Sequence, residues 1–383
     1  MIAGKQCRVI YINLFTEFTE EAQRSTEINM RNRFLCEPPC HLRVISVFSV
    51  NQSLTSTKGL RMTAFLELRD VSKVFGGGLF RKKRTVALDH FSMTIDTSVP
   101  TVRAIAGESG SGKSTLGLML LGFLTPTSGQ VLYQGKEMRT LNRAERMQFR
   151  REVQAIFQDP FSVYNPFYPV DHVLNVPIEK FKLAKSTSHA QSLKEEALAG
   201  VGLRPEETLG RYPHQLSGGQ RQRIMVARAL LTKPRLIIAD EPVSMVDASL
   251  RATILESLRR LNRDMGISIL YITHDLTTAY HVSKDILVLY KGSIAESGDV
   301  DHVIKDPKHP YTQLLVNSIP WPDLNRQWGA AEIKVATTAN KLAASTGCKF
   351  ADRCPHAMPI CGERPPTLGP IREGQVAACF LYQ

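Results

Sequence analysis

The chain has 383 residues, 43% apolar and 22% charged, which excludes a disordered or fibrous protein and allows one large core or two to three compact units. Lys and Arg number 48 against 36 Asp and Glu, and the resulting charge of +12 suits nucleic acid, an anionic membrane surface or simply a basic exterior without choosing among them. The longest uncharged apolar stretch, 116–124, falls far short of the roughly 20 residues that a membrane-spanning helix needs.

Residues 1–61 carry no sustained helical or strand period and close on the turn-rich 51–59, so they are expected to be a disordered arm or the product of a start placed upstream of Met62. Lys5, Arg8 and a short apolar run precede Glu17, Glu20 and Glu21 with no small-residue cleavage site, which does not read as a secretory leader. After Met62, the spacing of Phe65, Leu66 and Leu68 suits an edge strand. A strand at 102–106, a glycine-rich turn at 107–112 and an apolar helix to Leu124 follow, stopped by Pro126, Ser128 and Gly129. A mostly helical block covers about 137–235, with helices at 143–151 and 192–203. Apolar strands at 236–239 and 267–272 end on Asp240-Glu241 and Thr273-His274-Asp275. Such strands, separated by helices, predict an α/β fold with a parallel sheet covered on both faces and functional groups at the strand C-termini. Beyond 300 come a short helical segment, an Ala/Thr-rich linker near 329–346 and a cysteine-bearing tail, and no internal repeat is present.

Gly107-Glu108-Ser109-Gly110-Ser111-Gly112-Lys113-Ser114 fits GxxxxGK[ST], with a buried strand before it and a helix after it. Glycines let the backbone wrap a phosphate so that its N–H groups and the helix N-terminus face the anion. Gly107, Ser109, Gly110, Gly112 and Thr115 are therefore expected in the nucleotide cradle; Lys113 should bridge the β- and γ-phosphates and the Ser114 hydroxyl should complete a Mg²⁺ shell. Asp240 is the expected Mg²⁺ carboxylate, direct or through water, and Glu241 the candidate general base for a water in line with the γ-phosphate. Guanine is disfavoured, because Asn340-Lys341-Leu342-Ala343 lacks the Asp of an NKxD reader.

Leu216-Ser217-Gly218-Gly219-Gln220 opens a second helix with two glycines, which weaken a helix start for no structural gain unless a ligand must reach the amides. With this LSGGQ sequence the chain resembles the ATP-binding subunits of ABC transporters. The resemblance implies ATP and Mg²⁺ as cofactors and a P-loop NTPase fold of ABC ATPase type, with a RecA-like parallel core, an antiparallel β subdomain and a helical subdomain at about 137–235. It also implies that Ser217, Gly218, Gly219 and Gln220 serve the nucleotide of a partner subunit in a sandwich dimer. Gln158 resembles the Q-loop glutamine that touches Mg²⁺ or the attacking water, Asp247 belongs to a D-loop, His274 resembles the switch histidine, and Phe75 resembles the aromatic that stacks on adenine. The likeness covers 62–320, with 321–383 as an extension.

Three passages resemble dipeptide and oligopeptide importer ATPases: the insert 76–83, the phrase Phe157-Gln158-Asp159-Pro160 to Pro166, and Lys308-His309-Pro310-Tyr311-Thr312. Asp240-Glu241-Pro242-Val243-Ser244 is similar to the second of the two unequal ATPases of such importers. This implies a second ATPase subunit, two transmembrane permease subunits, an extracytoplasmic solute-binding protein acting indirectly, a place at the cytoplasmic face of the membrane, and no nucleic acid. Ser111 and Met245-Val246 depart from residues frequent in the family, and no catalytic group is lost. Four of the seven cysteines, Cys348, Cys354, Cys361 and Cys379, fall in the last 36 residues, where they could hold a [4Fe–4S] cluster or Zn²⁺, or stay free and packed. Competing readings are a soluble ABC ATPase acting on nucleic acid, for which the net charge speaks, and the ATPase of an exporter.

Overall fold

The computed structural model describes residues 64–76, 84–159, 164–319 and 347–383. The chain divides into two units, Met1–Met62 and Thr63–Gln383, and the expectations for 1–61, for residues 77–83 of the insert and for the linker 329–346 lie outside the described residues. Within the second unit, β1 (Leu66–Phe75) and β2 (Thr85–Ile95) pair antiparallel from Leu66↔Ile95 to Phe75↔Thr85. β3 (Val102–Ala106) founds a second sheet, while β4 (Ser128–Tyr133) and β5 (Lys136–Glu137) return to the first, whose order is β2-β1-β4-β5. The second sheet gains β6 (Val153–Ile156), β7 (Leu236–Asp240), β8 (Ser268–Ile272), β9 (Asp285–Tyr290), β10 (Ser293–Asp299), β11 (Gly369–Arg372) and β12 (Gln375–Ala377), in the order β11-β12-β10-β9-β3-β8-β7-β6. β9, β3, β8, β7 and β6 are parallel, and β10, β12 and β11 extend the sheet antiparallel. Every residue of β8 is buried, as a parallel strand covered on both faces requires.

Helix α1 (Lys113–Leu120) lies where the two sheets meet: Leu116, Met119 and Leu120 share one apolar cluster with Leu66, Leu68 and Phe91 of the first sheet and Ile105, Ile238, Leu270 and Ile272 of the second. It ends at Leu120, four residues before the sequence expectation, because Gly122 turns left-handed (φ 74°) and the N–H groups of Phe123 and Leu124 fold back on the Leu118 carbonyl. The expected helical block at 137–235 is interrupted. Helix α2 (Arg143–Glu152) runs directly into β6, which pairs with β7 from Val153↔Leu236 onward, so the purely helical part lies between these two strands. That part holds α3 (Asp171–Lys180), α4 (Thr187–Gly200) and α5 (Gly218–Leu230). Helix α4 begins before the expected 192, since Ser186 caps it by accepting the His189 N–H. Helices α6 (Ala248–Met265), α7 (Leu276–Val282), α8 (Val300–Lys305) and α9 (Pro310–Asn317) complete the cassette. The tail is no separate layer: β12 pairs with β10 at Glu296↔Ala377 and carries the sheet outward to β11.

Leu68 is fully buried in the shared cluster. Leu68→Ala is expected to cost about 2–5 kcal/mol of unfolding free energy, measured by urea denaturation; a change near zero would mean that the two sheets do not share a core.

Candidate active site

The 107–112 loop takes its shape from two crowded glycines. A Cβ on Gly107 (φ 150°) would lie 2.2 Å from the Leu289 carbonyl oxygen, and one on Gly112 (φ 109°) 2.3 Å from that of Ala87, so neither position admits a side chain. Gly110 (φ 81°) has open space around it, while Ser109 and Gly110 are exposed at the loop tip. The Ser111 N–H donates to the Glu108 carbonyl at 3.1 Å, and the Gly292 N–H donates to the Ser111 carbonyl at 2.8 Å. Lys113, buried at the start of α1, donates from Nζ to the carbonyls of Gly107 at 2.7 Å and Glu108 at 3.0 Å. Burial lowers its pKa, and the carboxylates of Glu241, Asp240 and Glu108 oppose that shift. Exposed Ser114 and half-buried Thr115 follow on the first turn of the helix.

Parallel pairing sets the other groups beside this loop. The Thr273 N–H donates to the Ile105 carbonyl at 3.0 Å and the Glu241 N–H to the Ile272 carbonyl at 2.8 Å, so β3, β7 and β8 end in step. Asp240 sits at the end of β7, where burial first and then the charge of Glu241 push its carboxyl up to about 6, against the pull of the Ser114 hydroxyl and Lys113. Its Oδ1 is buried without a hydrogen-bond partner. An orphaned carboxylate oxygen beside a hydroxyl at the mouth of an anion cradle fits a hydrated Mg²⁺.

Glu241 has φ 47°, a left-handed backbone unusual for a residue with a side chain. This turn aims its carboxylate at two other predicted residues: Oε2 accepts from Gln158 Nε2 at 2.9 Å and Oε1 lies 2.8 Å from His274 Nδ1. Gln158, Glu241 and His274 are thus one hydrogen-bonded set. Phe75 closes β1, 41% exposed, with Lys73 Nζ 5.3 Å from its ring centroid.

The Ser217–Gln220 segment stands apart from the cradle; among the described residues no hydrogen bond joins the two. Ser217 caps α5 by accepting the Gln220 N–H, and its own N–H donates to Gln220 Oε1 at 2.9 Å. Gly219 is buried against α6, where a Cβ would lie 2.7 Å from Leu250 Cδ1, the movable end of a side chain, so packing alone does not account for the glycine. Gly218 is half-buried, and exposed Asp247 begins α6 without capping it through its side chain.

Sequence reasoning passed over four connections. Gln222 Nε2 donates to the Phe157 carbonyl at 3.3 Å and Tyr164 Oη to the Arg221 carbonyl at 2.7 Å, which fastens α5 to the segment bearing Gln158. Tyr311 Oη accepts the Glu108 N–H at 2.8 Å and Arg353 forms an ion pair with the Glu108 carboxylate. Tyr311 belongs to the stretch 308–312, and nothing local in the sequence links it or Arg353 to the loop. The four tail cysteines do converge: Cys348, Cys354, Cys361 and Cys379 line one small cavity with Phe350, Met358 and Phe380. Burial first, with neighbouring thiols adding to it, pushes Cys354 up to about 11 and raises Cys348 and Cys379 as well.

A backbone wrapped by glycines, with a buried ammonium and a strand-end carboxylate pair, binds a nucleoside triphosphate and directs water to its terminal phosphate; it defines the P-loop ATPases. The family model "ABC transporter" matches residues 88–244 and the model "Oligopeptide/dipeptide transporter, C-terminal region" matches 295–361. Oligopeptide transport ATP-binding protein AppF of Bacillus subtilis is 37% identical over 83% of this chain and 97% of its own. YkfD of the same organism, provisionally named for the same role, is 39% identical over 85% of this chain and 97% of its own. Among solved structures, the ATP-binding cassette MJ0796, a dimer in a post-hydrolysis state with ADP and Pi, shares 28% identity at TM-score 0.54 over 61% of this chain and 98% of that one. The chain belongs to the ABC transporter ATP-binding family, in the oligopeptide/dipeptide transporter branch that bears the C-terminal region. It is an ATPase of the class that uses ATP with Mg²⁺.

Without bound metal the Asp240 carboxyl, pushed up to about 6 by burial and by Glu241, ionises mainly above that pH. Mg²⁺-dependent ATP hydrolysis is therefore expected to fall as pH drops through about 6, with the acid limb moving to lower pH as Mg²⁺ is raised. Rate profiles at two Mg²⁺ concentrations check this, and a limb indifferent to Mg²⁺ counts against Asp240.

Proposed function

We propose that this chain is the ATP-hydrolysing subunit of a membrane importer for dipeptides, oligopeptides or similar small solutes. The observation that carries this reading is the oligopeptide/dipeptide transporter C-terminal region at 295–361, joined to the cassette on the same sheet. No helix among the described residues is long and apolar enough to cross a membrane, so transport needs separate permease subunits. The full assembly would pair the cassette with a second ATPase subunit and two permeases at the cytoplasmic face, with an extracytoplasmic solute-binding protein delivering cargo. A role on nucleic acid has only the net charge of +12 behind it, and an exporter has no feature of its own in its favour.

In this reading the backbone of 107–115 cradles the phosphates and Lys113 offsets their charge. Mg²⁺, held by Ser114 and through water by Asp240, with Gln158 in reach, would neutralise the triphosphate further. Glu241 orients the attacking water and takes its proton, and His274 holds both the Glu241 carboxylate and the γ-phosphate edge. Ser217 and Gly219 of one cassette would close on the triphosphate of the other, so ATP favours the closed pair by touching both halves only in that state. The bonds from Gln222 to Phe157 and from Tyr164 to Arg221 give closure a route to the Gln158 segment and hence to the permeases. In vesicles carrying the whole transporter, labelled peptides should accumulate only with ATP. Glu241→Gln should keep ATP binding while lowering turnover about 100-fold or more; normal uptake in that variant removes Glu241 from its role.

The four tail thiols are proposed as ligands of a [4Fe–4S] cluster. Among the described residues no group of three or more His, Cys, Asp or Glu side chains is arranged to hold one metal ion. A tetrahedral zinc site draws its sulfurs to about 2.3 Å from one centre, whereas a cubane cluster takes four thiolates around a larger body. Four cysteines lining one cavity support a shared ligand, and the likeness to oligopeptide importer ATPases favours the cluster over zinc. Anaerobically purified protein should be brown, with about four irons per chain; colourless, metal-free protein with all four thiols reactive refutes the cluster.

A further inference from the structure

The triphosphate cradle is fastened to the far end of the chain through Glu108. The carboxylate of this loop residue receives both arms of Arg353, Nη1 to Oε2 and Nη2 to Oε1, each at 2.9 Å. Its N–H donates to Tyr311 Oη at 2.8 Å, and its carbonyl accepts from the Ser111 N–H and Lys113 Nζ. One residue therefore collects bonds from the cradle's own lysine and from two residues that follow the parallel sheet.

Both fasteners stand on firm ground. Tyr311 is fully buried, and its ring centroid lies 4.4 Å from that of Tyr290 and 5.5 Å from that of Phe350. The Arg353 guanidinium lies 5.6 Å from the Phe350 ring centroid, in the turn Ala351–Arg353 between Cys348 and Cys354. Lys349 pins the same turn to the cassette, reaching Asp89 Oδ2 at 2.8 Å and the Lys291 carbonyl at 2.9 Å. The neighbouring Gly292 N–H holds the Ser111 carbonyl, so the loop is gripped from the β9–β10 turn and from the tail together.

Electrostatics makes the grip consequential. Glu108 places a carboxylate on a loop whose task is to attract a highly charged anion, and besides Arg353 it interacts through charge with Lys113 and Lys291. Unpaired, it would repel the triphosphate and compete for the lysine; in the fork of Arg353 its charge is neutralised and its direction fixed. The Arg353 side chain is 43% exposed and that of Glu108 39%, so the effect is modest and sensitive to salt.

We propose that Arg353 and Tyr311 are positioning residues of the ATP site: the tail neutralises and orients Glu108 so that the cradle keeps its affinity for triphosphate. This rests on reading 107–115 as the phosphate cradle.

The test is steady-state ATPase kinetics on the full transporter, with ATP and adenosine binding measured alongside. Arg353→Ala should raise KM for ATP about threefold to tenfold with kcat changed less than about twofold, and adenosine, which carries no phosphate, should bind as before. Added salt should narrow the defect. Removing the carboxylate as well, in Glu108→Gln/Arg353→Ala, should restore most of the affinity, which a purely structural brace would not do. Tyr311→Phe should raise KM less. Should Arg353→Ala fail to fold, Arg353→Lys, which keeps the charge but not the fork, should give an intermediate KM. An unchanged KM in the Arg353 variants, or a loss shared by KM, kcat and adenosine and untouched by Glu108→Gln, overturns the proposal. An unaltered transporter that binds adenosine but not ATP overturns the cradle reading itself.

Discussion

The site depends on the lockstep of three parallel strands. Because β3, β7 and β8 end in register, the loop after Ala106, the acidic pair after Ala239 and the histidine after Thr273 reach the same edge of the sheet. Glu241 shows how tightly that edge is specified. Its left-handed backbone is unfavourable by about 1–3 kcal/mol. It is held by its N–H to the Ile272 carbonyl and by Ser244, whose N–H and Oγ both donate to the Glu241 carbonyl. Relaxing the turn would swing the carboxylate away from Gln158 and His274, so local strain is converted into the aim of one side chain.

The same economy governs the packing. Helix α1 carries Lys113 at its first position and fills the seam between the two sheets with Leu116, Met119 and Leu120, so the candidate cradle and the core share one element. Gly117 on that helix lets Ile272 approach, since a Cβ there would lie 3.0 Å from Ile272 Cδ1. The helical part is joined to the segment bearing Gln158 by the bonds of Gln222 and Tyr164 to the main chain.

Much of this was legible in the sequence because it is written locally. The loop and the strand-end acids are short patterns whose chemistry follows from residue type and spacing, whereas Gln158, His274 and the LSGGQ helix start entered through family resemblance; the structure joins Gln158 and His274 to Glu241. What escaped depends on neighbours far away in the chain. β6 is four residues with a polar Gln154 inside, readable only once β7 is beside it. Phe123 and Leu124 look helical until Gly122 is seen turning back. The pairing of the 321–383 extension with the sheet through β12 likewise depends on β10, far from it in the chain.

The sheet is also ordered awkwardly for a chain made from one end. β3 is encoded early, but its flanking partners β8 and β9 are encoded far downstream, and Glu108 waits for an arginine 245 residues later. On the ribosome, the central strand must therefore emerge with both backbone edges unpaired and stay so until β8 has been made. A chain cut short before the turn Ala351–Arg353 would keep β3, β7 and β8 but lose β12, β11 and the arginine that holds Glu108, leaving the 107–112 loop untethered from that side.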